Sequence, residues 1–476
     1  MTQVIATPSR DTDSLEHRPG ETGSSSLPPI GRRFRVRLNP FQLLMRRWSH
    51  MHPYNAGQVM EISGIPDFDR WRHAAQHVLA EMGLGPATFT PGDTHATFSA
   101  GPSVTVEESG VSLAAFFDEE LNRPFAAGDA PVRFCILPAV GRNGSTQSHY
   151  FAAVYDHWIA DSRAMRELMH RIYEQYRSDE GSLPPLTLEA PSFRKIYRKH
   201  VGRLVRCTAL RESLKNCWRH RRCFRINIPD PLDFRSRFLF RQLPEGLIER
   251  VHTFAKQQGA SVNDTFIAVL AQTMGAYTHE HRQRRRKKRF HFPRSEVGIG
   301  TIVDIRDAAS EPLDRVFNLY LSSYTVVLHQ AERRGTDTVA REVAATTTRL
   351  KKTFATVKGF WALAMARVWW DLYTSPRNRA LLLHKMVPVV AGISNVKMTG
   401  TWADRATQQR DDPAQPRVLD YLRISPTGPL IPLVFTLTTI GERLSLCITY
   451  RTTAFSDDQV QEIVDDFISR LEKAVA

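Results

Sequence analysis

Val154–Met169 reads VYDHWIADSRAMRELM. An apolar run ends at Tyr155, a histidine follows at His157, and an aspartate comes four residues later at Asp161. Hydrophobic residues then recur at helical spacing: Met165, Leu168, Met169, Ile172 and Tyr173 would share one face. The pattern predicts strand, turn, helix, with Asp161 or Ser162 as the helix cap. A side chain in such a turn projects from the end of a sheet into a cleft. An imidazole there titrates in the right range to take a proton from an alcohol or amine at neutral pH. Asp161 has two candidate roles. It could orient His157 directly, as in a triad, or hold the turn by pairing with a distant cation.

Outward from this segment, VRFCILPA (132–139) and HYFAAVY (149–155) read as adjacent strands joined by the polar loop VGRNGSTQ. Upstream, QVMEISGI has strand character and FDRWRHAAQHVLAEM has helical spacing. Downstream, DEGSLPPLTLEAPS (179–192) reads as a linker and a basic stretch to Arg225 as the start of a crossover. A second half follows: a strand at RFLFRQL, a helix from Glu245, and a long helix over SVNDTFIAVLAQTMGAYT. Further strands are predicted at VGIGTIVDI, YLSSYTVVL, LIPLVFTLTTI and RLSLCITYR, before a closing helix capped by Ser456. Strands and long helices mix irregularly, which is α+β. The predicted partition is a tail over 1–33, a first unit over 34–190, a crossover over 191–230 and a second unit over 231–476.

Two units suit a chain of 476 residues, which exceeds what one core usually serves. The tail is polar and lacks an apolar stretch, so it reads as disordered rather than as a signal peptide. No run reaches the roughly 20 apolar residues a membrane span needs. The most apolar region, Phe360–Val390, is cut by Arg367, Asp371, Arg377, Arg379 and Lys385, leaving peripheral membrane contact as the only membrane role. Five cysteines, an odd number with no close CxxC pair, fit reduced thiols and a cytoplasmic location. Cys217, His220 and Cys223 fit no standard zinc spacing, and the arginines among them would repel a cation, so no metal is expected.

Net charge of +15 favours acidic partners. The densest basic run, HRQRRRKKRFHFPR (281–294), reads first as a solvated loop and second as a dock for an acidic carrier protein or an anionic membrane. It sits between a helix and a strand and has no reading element, so nucleic acid is not an expected partner. There is no GxSxG nucleophile elbow and no glycine-rich phosphate loop.

Five segments in order resemble the coenzyme-A- and carrier-dependent acyltransferase superfamily, which includes chloramphenicol acetyltransferase and peptide condensation domains. Asp156–Ser162 resembles its HHxxxDG signature in the looser HxxxD form. NRPFAAGDAPVRFCIL (122–137), GASVNDTFIAVLA (259–271), IGTIVDIRDA with VFNLYLSSY, and GISNVKMTG (392–400) resemble its other landmarks. The resemblance implies two chloramphenicol-acetyltransferase-like subdomains forming a V around a central tunnel. It implies His157 as general base and Asp161 turned away to pair with Arg306. Arg306 lies in a mainly apolar strand and needs an anion, with Asp304 and Asp307 as nearby competitors.

The motif departs from the family pattern in two places. Asp156 replaces the first histidine, and Ser162 replaces the glycine whose N–H is invoked for the oxyanion, leaving the Ser162 hydroxyl or its own N–H for that task. By the same resemblance Asn395 lines the channel, with a turn-forming asparagine as the rival reading. Asn263 and Asp264 read equally as helix caps and as residues near the tunnel. Trp158, Trp361, Trp369 and Trp370 read as core before they read as an acyl pocket.

The implied activity is transfer of an acyl group from acyl-CoA or a phosphopantetheinyl carrier to a hydroxyl or amine of a small molecule or lipid, with no tightly bound cofactor. The alternative is a non-catalytic condensation-domain-like protein that binds a carrier protein or lipid.

Overall fold

The strand that delivers His157 lies in the middle of a sheet. β7 (Ser148–Asp156) pairs antiparallel with β2 (Asn55–Ser63) on one side and β6 (Val132–Ala139) on the other. The structure is a computed structural model and describes residues 34–99, 106–126, 128–139, 148–178, 183–197, 207, 211, 220–285, 294–352, 366–386, 388–398 and 415–476. The expected tail, half of the crossover, Cys217, Trp361 and most of the basic run lie outside the described residues.

In the first half, β1 (Phe34–Arg37), α1 (Pro40–Ser49), α2 (Phe68–Met82), β3 (Ala87–Phe89), β4 (His95–Phe98), β5 (Val106–Glu108) and α3 (Leu113–Glu120) surround β2, β6 and β7. α4 (Ser162–Arg177) follows β7. A small sheet has the order β1-β4-β3. α2 and α4 pack together over the larger sheet, and Trp71 of α2 is sandwiched between Phe151 of β7 (4.1 Å between centroids) and Tyr176 of α4 (3.7 Å).

The second half contains β8 (Ser236–Gln242), α5 (Leu247–Gln257), α6 (Val262–Arg285), β9 (Glu296–Asp304), β10 (Leu321–His329), α7 (Thr336–Lys352), α8 (Pro376–Met386) and β11 (Ala391–Lys397). β12 (Val418–Ile424), β13 (Leu433–Ile440), β14 (Arg443–Arg451) and α9 (Asp457–Val475) complete it. Six strands form a mixed sheet, β10-β9-β11-β13-β14-β8, with β11 parallel to both neighbours. α5, α6, α7 and α9 bury an apolar face against it. Ser456 caps α9 through a capping box with Gln459, as its position ahead of the apolar periodicity predicts.

Most strands and helices read from the sequence occur with nearly the same bounds, because each carries a long apolar period. β12 is different. It belongs to the second half of the chain, yet it pairs antiparallel with β2, giving the five-stranded order β12-β2-β7-β6-β5. A separate cluster then joins the sheets: Phe117, Cys135 and Val154 meet Phe238, Leu422 and Cys447. The two halves are therefore tied by a shared strand and a common apolar seam.

Candidate active site

His157 sits in the turn between β7 and α4, at the end of the sheet. Its main-chain N–H donates to Tyr54 O at 3.0 Å, pinning the turn to the start of β2. The Tyr54 ring stacks on the imidazole (5.8 Å, 23°) and Tyr155 meets it edge-on (5.7 Å, 87°). Gly428 allows Tyr54 this place, since a Cβ there would stand 2.7 Å from the ring. A shallow cleft lined by Trp48, His52, Tyr54, Phe234 and Thr427 opens against the same tyrosine.

Nδ1 of His157 lies 3.0 Å from Ala160 O. A carbonyl only accepts, so Nδ1 carries the proton and Nε2 is left with its lone pair. Burial lowers the histidine pKa from 6.5, against smaller opposing effects from Ala160 and Asp161. The ring is thus neutral at pH 7, and among the described residues its basic nitrogen has no hydrogen-bond partner.

Asp161 does not touch that ring in a way that relays a proton. Its Oδ1 accepts from Arg163 N (3.0 Å), Ala164 N (2.9 Å) and Arg306 Nη2 (3.1 Å). Its Oδ2 accepts from Arg306 Nη1 and Tyr320 N, both at 2.8 Å. The residue caps α4 and clamps Arg306 bidentately in a fully buried position. Burial alone would raise its pKa, but the guanidinium and the backbone donors outweigh that and hold the carboxyl below the usual range. Arg306 is shared with Asp304 Oδ1 (3.2 Å) and Asn318 O (3.2 Å). Of the three acids weighed for Arg306, Asp161 and Asp304 make the contact.

Asp156, at the first-histidine position, points back to α1. It accepts from Ser49 Oγ at 2.8 Å and lies 3.5 Å from Arg46 Nη1. Burial pushes its pKa to about 6, with Arg46 and Ser49 opposing. Trp158 is core, edge-on to Phe89 and stacked on Phe98, and Gln42 Nε2 holds its carbonyl at 3.0 Å. Trp370 is also buried, whereas Trp369 is 45% exposed. Asp264 closes a capping box at the start of α6 with Ser261 and accepts from Thr347 Oγ1 at 2.8 Å.

Ser162 stands at the junction of the halves. Its Oγ is 3.3 Å from Gln58 Nε2 and 3.3 Å from Arg423 Nη1. Arg423, on β12, is 3% exposed. Its other hydrogen bonds go to Ser394 Oγ, Ser394 O, Leu437 O and Thr438 Oγ1. Asn395 is on the opposite face of β11. Strand alternation sets it with Ile393 of the second core, whereas Ser394 points with Val396 and Met398 toward the first. The Asn395 Oδ1 is buried without a partner.

The sequence reading missed Arg423, Gln58 and Ser394. An arginine inside the apolar run VLDYLRI is the same signal that singled out Arg306. Among the described residues there is no cluster of three or more His, Cys, Asp or Glu able to hold a metal. No described helix is long and apolar enough to cross a membrane.

No protein-family model matches this sequence, and no curated protein matches it. Solved structures do. The TRI3 trichothecene 15-O-acetyltransferase from Fusarium sporotrichioides superposes with a TM-score of 0.67 at 9% identity, over 93% of this chain and 96% of its own. The first condensation domain of the CDA synthetase gives 0.63 at 14%, over 93% and 96%. The epimerization domain from the third module of tyrocidine synthetase B gives 0.59 at 13%, over 95% and 98%. This chain therefore has the α+β fold of condensation domains and the related CoA-dependent acyltransferases, which its HxxxD segment resembles.

Proposed function

We propose that this protein transfers an acyl group from a thioester, acyl-CoA or an acyl carrier protein, to a hydroxyl or amine, with His157 as general base. One observation carries the reading: Nδ1 of His157 is committed to Ala160 O while Nε2 stays unprotonated at the mouth of the turn. His157 Nε2 takes the acceptor proton as the acceptor oxygen or nitrogen attacks the thioester carbon. The carbonyl electron pair moves onto oxygen. Collapse breaks the C–S bond, and the imidazolium returns its proton to the departing thiolate. CoA or phosphopantetheine enters as co-substrate. Asp161 and Arg306 hold the turn that presents the base.

The test compares the wild-type protein with His157→Ala, using acyl-CoA donors and a panel of alcohols and amines, with release of free thiol as readout. Loss of a general base costs about 10²–10⁴-fold in rate. Equal thiol release by the two proteins above the protein-free rate removes His157 from the mechanism, whereas no release above that rate by the wild type with any donor–acceptor pair favours the non-catalytic binding role.

A further inference from the structure

The described residues expose seven large hydrophobic side chains, and four of them, Val368, Trp369, Leu372 and Tyr373, crowd into one short stretch. The other three, Ile65, Val111 and Leu232, stand singly along the chain, which is ordinary for a protein surface. Residues 366–372 are helical. Steps of three and four residues relate 368, 369, 372 and 373, so these side chains form one stripe. Leu372 is 68% exposed and Val368 51%. Trp370 and Ala366 turn the other way, into the first core. A surface helix needs one apolar face, and those two residues supply it. A second apolar stripe turned to water has no part in holding the fold.

The charge around the stripe is of one sign. From 366 to 386 the chain carries Arg367, Arg377, Arg379 and Lys385 against a single acid, Asp371. That acid is already paired, with Arg47 Nε of α1 at 3.3 Å and Arg367 Nε at 3.6 Å. Arg377 and Lys385 are exposed on α8. Arg379 Nε donates to Tyr373 O at 2.5 Å and its main-chain N–H to Ser375 O at 3.0 Å, closing the turn that joins the stripe to α8.

These features fit a lipid surface better than a protein groove. Groove-binding helices use anchors that continue to a seventh-residue step, and here those positions are Ser375 and Pro376. Tryptophan and tyrosine suit a membrane interface, where the ring is apolar and the N–H or O–H stays wet. Leucine and valine on a short helical face enter the headgroup–acyl boundary, and neighbouring cations meet anionic headgroups.

We infer that Val368, Trp369, Leu372 and Tyr373, with the cations around them, form a surface that docks this protein on an anionic lipid bilayer. Trp370 and the Asp371–Arg47 pair fix the helix to the body of the protein, so the stripe is presented in place. The net charge of +15 draws the chain to the surface, and the four side chains hold it there. The docking surface does not depend on the acyl-transfer reading.

The experiment sediments the full chain with vesicles of equal parts phosphatidylcholine and phosphatidylglycerol, and with vesicles of phosphatidylcholine alone, at low and high salt. The wild type should bind the anionic vesicles more tightly, and salt should weaken that preference. Trp369→Ser/Leu372→Ser should lower partitioning by about 10²-fold, since burying each such side chain is worth about tenfold or more. Arg377→Ser should lower it by about fivefold on anionic vesicles and leave the neutral ones unchanged. Insertion has its own readout: brominated acyl chains should quench the emission of the wild type more than that of Trp369→Phe. Thermal midpoints report whether the variants fold; where the double variant does not, the quenching comparison carries the test. Equal partitioning of wild type and double variant overturns the proposal and leaves adsorption by net charge. Equal quenching of wild type and Trp369→Phe overturns it as well. A dimer that the double variant abolishes, with no vesicle binding by the wild type, also overturns it and assigns the stripe to a second copy of this chain.

Discussion

Replacing Asp161 by asparagine tests whether the aspartate braces the turn or serves the histidine. The carboxylate accepts five hydrogen bonds and is fully buried against Arg306. Removing one member of a buried pair costs about 3–5 kcal/mol where it leaves the other charge uncompensated; Asp304, 3.2 Å from Arg306, keeps the loss for Asp161→Asn at the low end of that range. Arg306→Met should cost a similar amount by stranding Asp161. The double variant buries no stranded charge at this pair, so its loss should fall short of the sum, with a coupling of about 0.5–3 kcal/mol. Chemical denaturation of the four proteins at pH 7 measures this cycle.

The same pair gives a pH signature. Asp161 has a folded-state pKa below its ordinary value, so its stabilisation is complete above that ordinary value and is lost as pH falls through the folded one. The gap between wild type and Asp161→Asn should therefore be full at pH 7 and shrink below about pH 4. Kinetics supply the contrast. A triad aspartate mutated to asparagine leaves the fold intact and lowers kcat by about 10⁴-fold. A brace lowers stability, and Arg306→Met lowers activity in parallel. Additive stability losses for Asp161→Asn and Arg306→Met, with full activity in Arg306→Met, would refute the brace.

The pH–rate profile should rise to a plateau with its acid-limb midpoint below 6.5, since burial lowers the His157 pKa and only the neutral ring is a base; a midpoint above 7 contradicts the environment described. Asp156→Asn should gain stability relative to wild type between about pH 4 and pH 7 and run parallel to it above that. A buried carboxyl raised from 3.8 to about 6 is most stabilising when protonated, and that contribution is lost as pH rises from the ordinary value through the folded one, by about 3 kcal/mol in total. Parallel pH–stability curves for the two proteins through that window would remove Asp156 as the titrating group. Replacing Arg284, Arg285, Arg286, Lys287 and Lys288 by serine should slow transfer from an acidic carrier at low donor concentration and spare turnover at saturation, with the difference shrinking as salt rises. An unchanged carrier-dependent rate assigns the run to solvated surface.

The sequence by itself determined the local units. Apolar periods of two and 3.6 placed β6, β7, α2, α4, β14 and α9, because side-chain direction repeats with the backbone and needs no distant partner. The HxxxD spacing placed an imidazole at a strand end for the same reason. Tertiary structure decided everything that depends on chain-distant charge and register. Asp161 meets Arg306 across 145 residues, and Ser162 meets Arg423 across 261. β12 leaves its own half to complete the other sheet, a pairing its apolar run alone does not specify, since an edge strand bonds whichever backbone edge packing brings to it. That one strand carries Arg423 to the junction, where the Ser162 hydroxyl and Ser394 converge on it. Local patterning writes the elements; low-dielectric burial, which makes every unpaired charge expensive, decides which side chains must find each other.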